Sequence, residues 1–182
     1  MFVIKMKIVL NYLIAFSLLM FFASCAKSKH KIGSMYKGGY IFKINMFGHG
    51  LCAAPKDLKP QEWGCYGTLI NGANGKEIGT GKQNTKDIID GCVSYYPIAA
   101  RSCDDLVVDS YDDWYLPSLE ELLLMHRELY AQSIGDFTPN EYWSSSQNFS
   151  LGAWKVNFAT GEKRNDSNKS NKGLRVRAIR SF

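Results

Sequence analysis

At 182 residues the chain has the length of one domain with short extensions. It carries 22 Lys and Arg against 17 Asp and Glu, a formal net charge of +5 that is too weak to argue for nucleic acid as a partner. With 46% hydrophobic and 13% aromatic residues it is not an intrinsically disordered chain either.

The first stretch stands apart. Lys5 and Lys7 form a short basic region, residues 8–24 run apolar, and the stretch ends on the small pair Ala23-Ser24 before Cys25. That is the layout of a secretory signal peptide over residues 1–24. A single transmembrane anchor is the rival reading, because the run is nearly long enough to span a bilayer. Ala23-Ser24-Cys25 resembles a bacterial lipoprotein box, with Phe22 where Leu is usual, and the resemblance implies that Cys25 is lipidated and becomes the new N-terminus. A plain signal followed by an ordinary cysteine is the alternative, and Met6 is a second possible start. Removing residues 1–24 takes away two lysines and leaves 20 basic against 17 acidic side chains, a formal +3. The charge is unevenly placed: ten acidic residues and one basic lie between Asp104 and Glu141, and eight basic and two acidic between Lys155 and Arg180. In one domain such blocks most simply face each other across the fold.

Residues 25–37, small, basic and polar, read as the lipidated cysteine and a tether, with the domain running over 38–182. "GGYIFKIN" alternates as a strand, the turn "MFGHG" follows, and "LCAAP" is a second strand, so the pair reads as a hairpin. Residues 56–83 hold six glycines and little periodicity, which predicts a long loop, a feature often tied to function. "NTKDIIDGC" predicts a short helix capped by Asn84 or Thr85. "PIAARSCDDLV" predicts another, with Pro97 in its first turn and Ala99, Cys103 and Leu106 on one face.

"YDDWYLPSLEELLLMH", Tyr111 to His126, gathers four carboxylates around two aromatics. Leu116 precedes Pro117 and is biased to extended geometry. Ser118 and Glu121 make the Ser-x-x-Glu capping box, and Leu119, Leu122, Leu123 and His126 recur at helical spacing. The cluster therefore reads as a strand-to-helix joint with its cap. Beyond it, "YWSSSQ" predicts a strand, "LGAWKVNFATGEKRN" a hairpin turning at "ATGE", and "NDSNKSNK" a polar loop. "GLRVRAIRSF" closes as a strand with Leu174, Val176 and Ala178 inward and Arg175 and Arg177 outward. Many short strands with two or three helices and long loops make an α+β domain.

Taken in order, "LCAAPKDL", "EWGCYG", "IGTGKQNT", "AARSCDDLVV", "YDDWYLPSLEELLLMH", "YWSSSQ", "AWKVNF" and "LRVRAIRSF" resemble the Fibrobacter succinogenes major paralogous domain family, close to the C-terminal domain of the Legionella collagen-like adhesin. The resemblance covers roughly Gly38 to Phe182 and implies a C-type-lectin-like fold related to the formylglycine-generating enzyme. In that wider group the joint matched by Trp114 to Glu121 recurs as a structural feature. It further implies an exported, often lipid-anchored protein, placed in the bacterial envelope and most simply in the outer membrane. The adhesin relative points to binding of host or surface glycans.

The residues hand over no catalytic or metal site. Thr138, Pro139, Asn140 and Glu141 replace the calcium-binding triplet of sugar-binding C-type lectins without its first ligand, and "YWSSS" offers hydroxyls where Asn and Asp would be. Asp109, Asp112 and Asp113 read as a polar turn. The three histidines are scattered, Ser144, Ser145 and Ser146 lack a histidine partner, and no cysteine follows Cys103, unlike the late cysteine pair of the formylglycine-generating enzymes. The expectation is a non-enzymatic domain without cofactor that binds a glycan or a surface partner protein of envelope or host, the alternatives being a structural or assembly component of the envelope that binds another protein and, third, an enzyme of the formylglycine-generating type. Its contact candidates are Trp63, Tyr66, Trp143, the loop aromatic Tyr95, and the outward Arg175 and Arg177, with Trp114 and Trp154 assigned to the core. An exported chain sits where disulfides persist. At least one is expected among Cys65, Cys92 and Cys103, the pairing left open, with Cys52 a buried thiol.

Overall fold

The structure is a computed structural model that describes residues 30–94 and 96–182, so Cys25, the signal region and Tyr95 lie outside the described residues. It is a mixed α+β domain with two antiparallel sheets. Strands β1 (Met35–Tyr36), β2 (Gly39–Ile44), β3 (Gly50–Ala53) and β7 (Ile179–Ser181) form one sheet in the order β1-β2-β3-β7. Strands β4 (Glu141–Phe149), β5 (Gly152–Asn157) and β6 (Lys163–Asn168) form the other. Helices α1 (Gly81–Gly91), α2 (Ala99–Asp104) and α3 (Leu119–Glu128) lie between them in sequence, and a 3-10 turn at Tyr130–Gln132 follows α3. Residues 30–37, expected in the tether, are already folded: Met35 pairs with Tyr40, and Ile32 and Tyr36 pack on the core.

The first sheet is a wall between two cores. Along β2, Ile41 (0% exposed) enters the core shared with Trp63, Ile88, Ile98, Cys103 and Trp114. Phe42 (1%) enters the one built with Tyr115, Leu122, Met125 and Phe158. The period-2 alternation is real, but both faces are apolar because helices and loops cover both. Gly50 is needed where β3 begins, since a Cβ there would run into the Lys43 carbonyl and the Phe182 ring.

Three elements depart from expectation. Helix α1 begins at Gly81 rather than at an Asn84 or Thr85 cap, because both side chains bond outside the helix end. Asn84 Nδ2 donates to the Gly75 carbonyl (2.6 Å) and Ser145 Oγ (3.1 Å), while Thr85 Oγ1 takes the Leu116 N–H (3.0 Å). Pro97 stands just ahead of α2, whose N-cap is the extended Ile98. The hairpin expected over 151–165 forms as β5 and β6, but β6 runs on to Asn168, three residues past that hairpin and into the run expected as a loop, and pairs with β5 at the edge of its sheet. Charged and polar residues suit such an edge, which must resist further pairing. The joint at Ser118 forms as its sequence says. Its hydroxyl accepts from the Glu121 N–H, and the Glu121 carboxylate accepts from the Ser118 N–H at 2.8 Å. The acidic and basic blocks do meet: Arg180 with Asp113 (2.6 Å), Lys155 with Glu141 (2.9 Å) and Lys163 with Glu120 (3.7 Å).

Candidate functional site

Most of the contact candidates are buried. Trp63 and Trp143 are 0% exposed, their indole N–H groups donating to the carbonyls of Ser144 and Gln61 at 2.9 Å each. Arg177, expected outward, is also 0% exposed. Its Nε holds Asp57 Oδ1 at 2.6 Å, Nη1 donates to the carbonyls of Ala54 and Gly135, Nη2 donates to that of Asp136, and the guanidinium lies 3.9 Å over Phe137. The alternation around it holds, since Leu174, Val176 and Ala178 point into the first core. What the pattern did not reveal is that the 54–57 and 135–137 segments cover the other face. Arg175 is half-buried with its backbone bridged to β4. Trp114 is core as expected. Trp154 is only half-buried, with Lys76 Nζ 4.7 Å over its ring and its own Nε1 without a hydrogen-bond partner.

Tyr66 is the candidate that remains exposed, at 51%, and it has neighbours that sequence reasoning missed. The 65–69 loop is tied to the β4–β5 turn by the Gly67 N–H on the Ser150 carbonyl (3.1 Å). This places Tyr66 and Leu69 beside Phe149 and Leu151, all four left open to solvent. Cys65 is disulfide-bonded to Cys92, which brings exposed Val93 to the same rim. Cys103 and Cys52 are the buried free thiols. Five exposed apolar side chains thus stand on two joined loops and a disulfide-linked helix end, the setting in which an interaction site is sought. The signal available in sequence was their setting: Leu69 lies in a glycine-rich loop, and Phe149 and Leu151 flank a turn serine in "NFSLG".

Beneath this face the loop is held by polar groups in the interior. Lys169 is 0% exposed, and its ammonium donates to the Thr68 carbonyl (2.9 Å) and Gln147 Oε1 (3.1 Å) while lying 4.3 Å over the Trp63 ring. Gln147 in turn takes the Ile70 N–H at 3.0 Å and donates to the Ile70 carbonyl. No carboxylate is among these partners, and burial pulls the Lys169 ammonium down to about 8. The disulfide fixes one side of the loop and Lys169 the other.

Concave sites also mark the described surface, among them a recess of about 480 Å³ by Tyr130, Ser133, Ile134, Asp136 and Phe137. A cleft of about 400 Å³ between α1 and the 113–115 segment is lined by Lys82, Lys86, Ile89, Asp90, Asp104 and Asp113. Burial raises Asp113, but the two-point contact with Arg180 outweighs it and holds the carboxyl below its usual range. Trp114 and Tyr115, also lining it, are 1% and 3% exposed and offer no ring face for stacking. A recess of about 280 Å³ by Glu62, Pro97 and Lys172 has Tyr96 at 67% exposure, with Lys172 Nζ 5.0 Å over its ring.

The hydroxyl-rich strand is structural. Ser144 Oγ donates to the Trp154 carbonyl and Ser146 Oγ to the Gly75 carbonyl, Ser145 Oγ accepts from Asn84, and all three serines are fully buried. His126 Nε2 sits 3.1 Å from the Phe158 carbonyl and meets none of them. Glu141 is paired with Lys155, and Asn140 donates to Thr138 Oγ1. Among the described residues no group of three or more His, Cys, Asp or Glu is placed to hold a metal ion. No helix among them is long and apolar enough to cross a membrane. No family model matches the chain, and no curated protein matches it.

Proposed function

We propose that the chain is a lipid-anchored protein of the bacterial cell envelope, placed in the outer membrane through Cys25, whose C-type-lectin-like domain binds a surface or envelope protein without catalysing a reaction. The observation that carries the binding reading is the apolar loop face of Tyr66, Leu69, Val93, Phe149 and Leu151, braced by Cys65–Cys92 and by Lys169. An exposed apolar face fits a protein partner, whereas a small ligand calls for a concave site with convergent polar groups. The absorption of Ser144, Ser145, Ser146 and His126 into backbone contacts supports a non-enzymatic role. A glycan partner is the second reading, favoured by the Tyr96 recess, where an exposed ring lies beside Glu62 and Lys172.

The test is in-cell crosslinking of the chain in a bacterial envelope, with the crosslinked species identified for wild type, Leu69→Asp and Phe149→Asp. A defined protein adduct lost in both variants is expected. A glycan-array screen, run with calcium and with a chelator, is the counterpart. Glycan binding that persists in both Asp variants and vanishes in Tyr96→Ala sinks the protein-partner reading in favour of the recess.

A further inference from the structure

The most exposed large apolar pair in the described chain has no place in that reading. Met46 (90% exposed) and Phe47 (79%) stand at the tip of the β2–β3 hairpin. The tip is built to hold its shape. Asn45 Oδ1 accepts from the N–H groups of Phe47 (2.9 Å) and His49 (3.1 Å), and Gly48 takes a positive φ of 84° with an N–H bond back to the Asn45 carbonyl. Two apolar side chains are thereby presented outward on a defined turn, with nothing among the described residues to cover them.

The position of the described N-terminus says what does. His30 stacks on Tyr36 at 4.0 Å between ring centroids and lies 6.0 Å from the ring of Phe182. The Phe182 backbone is paired in both directions with Gly50, the first residue of β3 after the tip. The chain therefore enters the fold beside the hairpin that carries Met46 and Phe47. Four residues lie between Cys25 and His30, and the five residue steps from one to the other, fully extended, reach at most ~18 Å. A lipid on Cys25 thus keeps this corner of the domain within about the depth of the headgroup region and a few water layers. Lys43 near the end of β2 and Lys31 in the entering chain carry the sign that anionic headgroups attract.

We infer that the 45–49 hairpin tip is a second membrane contact, with Met46 and Phe47 seated among the lipids of the leaflet that holds the Cys25 anchor. The inference rests on the anchored reading. Two attachment points, one covalent and one through the tip, fix the orientation of the domain on the bilayer. A single lipid would leave it free to swivel.

The experiment uses the full chain, expressed in a bacterium, purified in detergent and reconstituted into vesicles of phosphatidylethanolamine and phosphatidylglycerol. Phe47→Cys carries a bimane label, Met46→Cys repeats the measurement at the neighbouring position, and Phe149→Cys on the loop face is the comparison. The buried thiols Cys52 and Cys103 stay unlabelled in the native chain. The mass of the N-terminal peptide reports lipid on Cys25. Expected are a diacylated Cys25 and strong quenching of the label at 46 and 47 by lipids spin-labelled near the headgroup, with little at 149. A diacylated Cys25 with equal quenching at 47 and 149, high or low, overturns the tip contact and leaves the anchor standing. An unmodified Cys25 overturns the anchored reading and this inference with it.

Discussion

Glu121 separates two views of the helix joint. If it were only the distal half of an exposed capping box, Glu121→Ala would lose about 0.5–2 kcal/mol. The side chain is instead 0% exposed, and its two oxygens are divided between two backbone donors: Oε2 takes the Ser118 N–H at 2.8 Å and Oε1 the Gly79 N–H at 2.9 Å. The second bond reaches 42 residues back and ties the long loop to the helix start. Each buried donor left without a partner costs ~1–3 kcal/mol, so Glu121→Ala is expected to lose ~2–6 kcal/mol. Glu121→Gln keeps the shape but can accept at only one position and turns its amide N–H₂ toward the other donor. A loss of ~1–3 kcal/mol is expected from that single mismatch. Burial raises the carboxyl above its usual range, against the pull of the Ser118 and Gly79 bonds. A raised acid stabilises the fold fully below its unfolded value and loses that contribution as pH rises through the folded one. The wild-type chain should therefore shed some stability as pH climbs from the ordinary glutamate range, and Glu121→Gln should not. Urea unfolding across this range measures both. A loss below 1 kcal/mol for Glu121→Ala, or a Gln variant as stable as wild type at neutral pH, would refute the two-donor account.

Reduction of Cys65–Cys92, or Cys65→Ser with Cys92→Ser, should lower stability by about 3.5 kcal/mol, the loop-entropy value for a separation of 27 residues. Native Cys52, pushed up to about 12 by burial, should stay unreactive to thiol reagents until unfolding. Lys169 ionises near 8 in the fold against the ordinary 10.5, so between these values the unfolded chain binds more protons and stability from this group rises with pH. Because Cys52 and Tyr142, both raised to about 12, act oppositely above their ordinary values, the readout is wild type minus Lys169→Met. That difference should increase from pH 8 to 10, and a flat line would show that Lys169 is not desolvated. Arg177→Ala should cost ~3–5 kcal/mol by stranding the partly buried Asp57 carboxylate, with Arg177→Lys in between because it cannot span four acceptors; thermal and urea unfolding decide.

The joint at Ser118 was legible because a capping box is a local device, written in four consecutive residues and needing nothing from elsewhere. The β2–β3 hairpin, the β4 and β5 strands and the pairing of the charged blocks were legible for a similar reason, since period and sign survive in one dimension. Arg177 failed for the opposite reason. Whether the second face of an extended segment meets water or protein depends on segments over a hundred residues away, here Asp57, and no periodicity carries that. The β5–β6 hairpin was legible, and only the extension of β6 over 166–168 was not, because an edge strand and a solvated loop share a composition.

The same limit explains why the contact candidates are mostly buried and which residues are left outside. Choosing tryptophans and arginines for their chemistry selects the residues that a domain with two cores most needs inside: Trp63, Trp143 and Arg177 each hold carbonyls that would otherwise be stranded in the interior. The residues left outside are ordinary apolar ones in turn-forming sequence, Met46 and Phe47 in "NMFGHG" and Phe149 and Leu151 in "NFSLG". A turn has no use for a large apolar side chain, which gains nothing from an exposed position and raises the risk of aggregation. Its presence there is therefore better evidence of a contact outside the fold than an aromatic in a strand. That criterion supports the two contacts proposed above, the hairpin tip beside the point where the chain enters and the disulfide-braced loop face of the 65–69 and 149–151 turns, over the isolated exposed residues Ile78 and Val107.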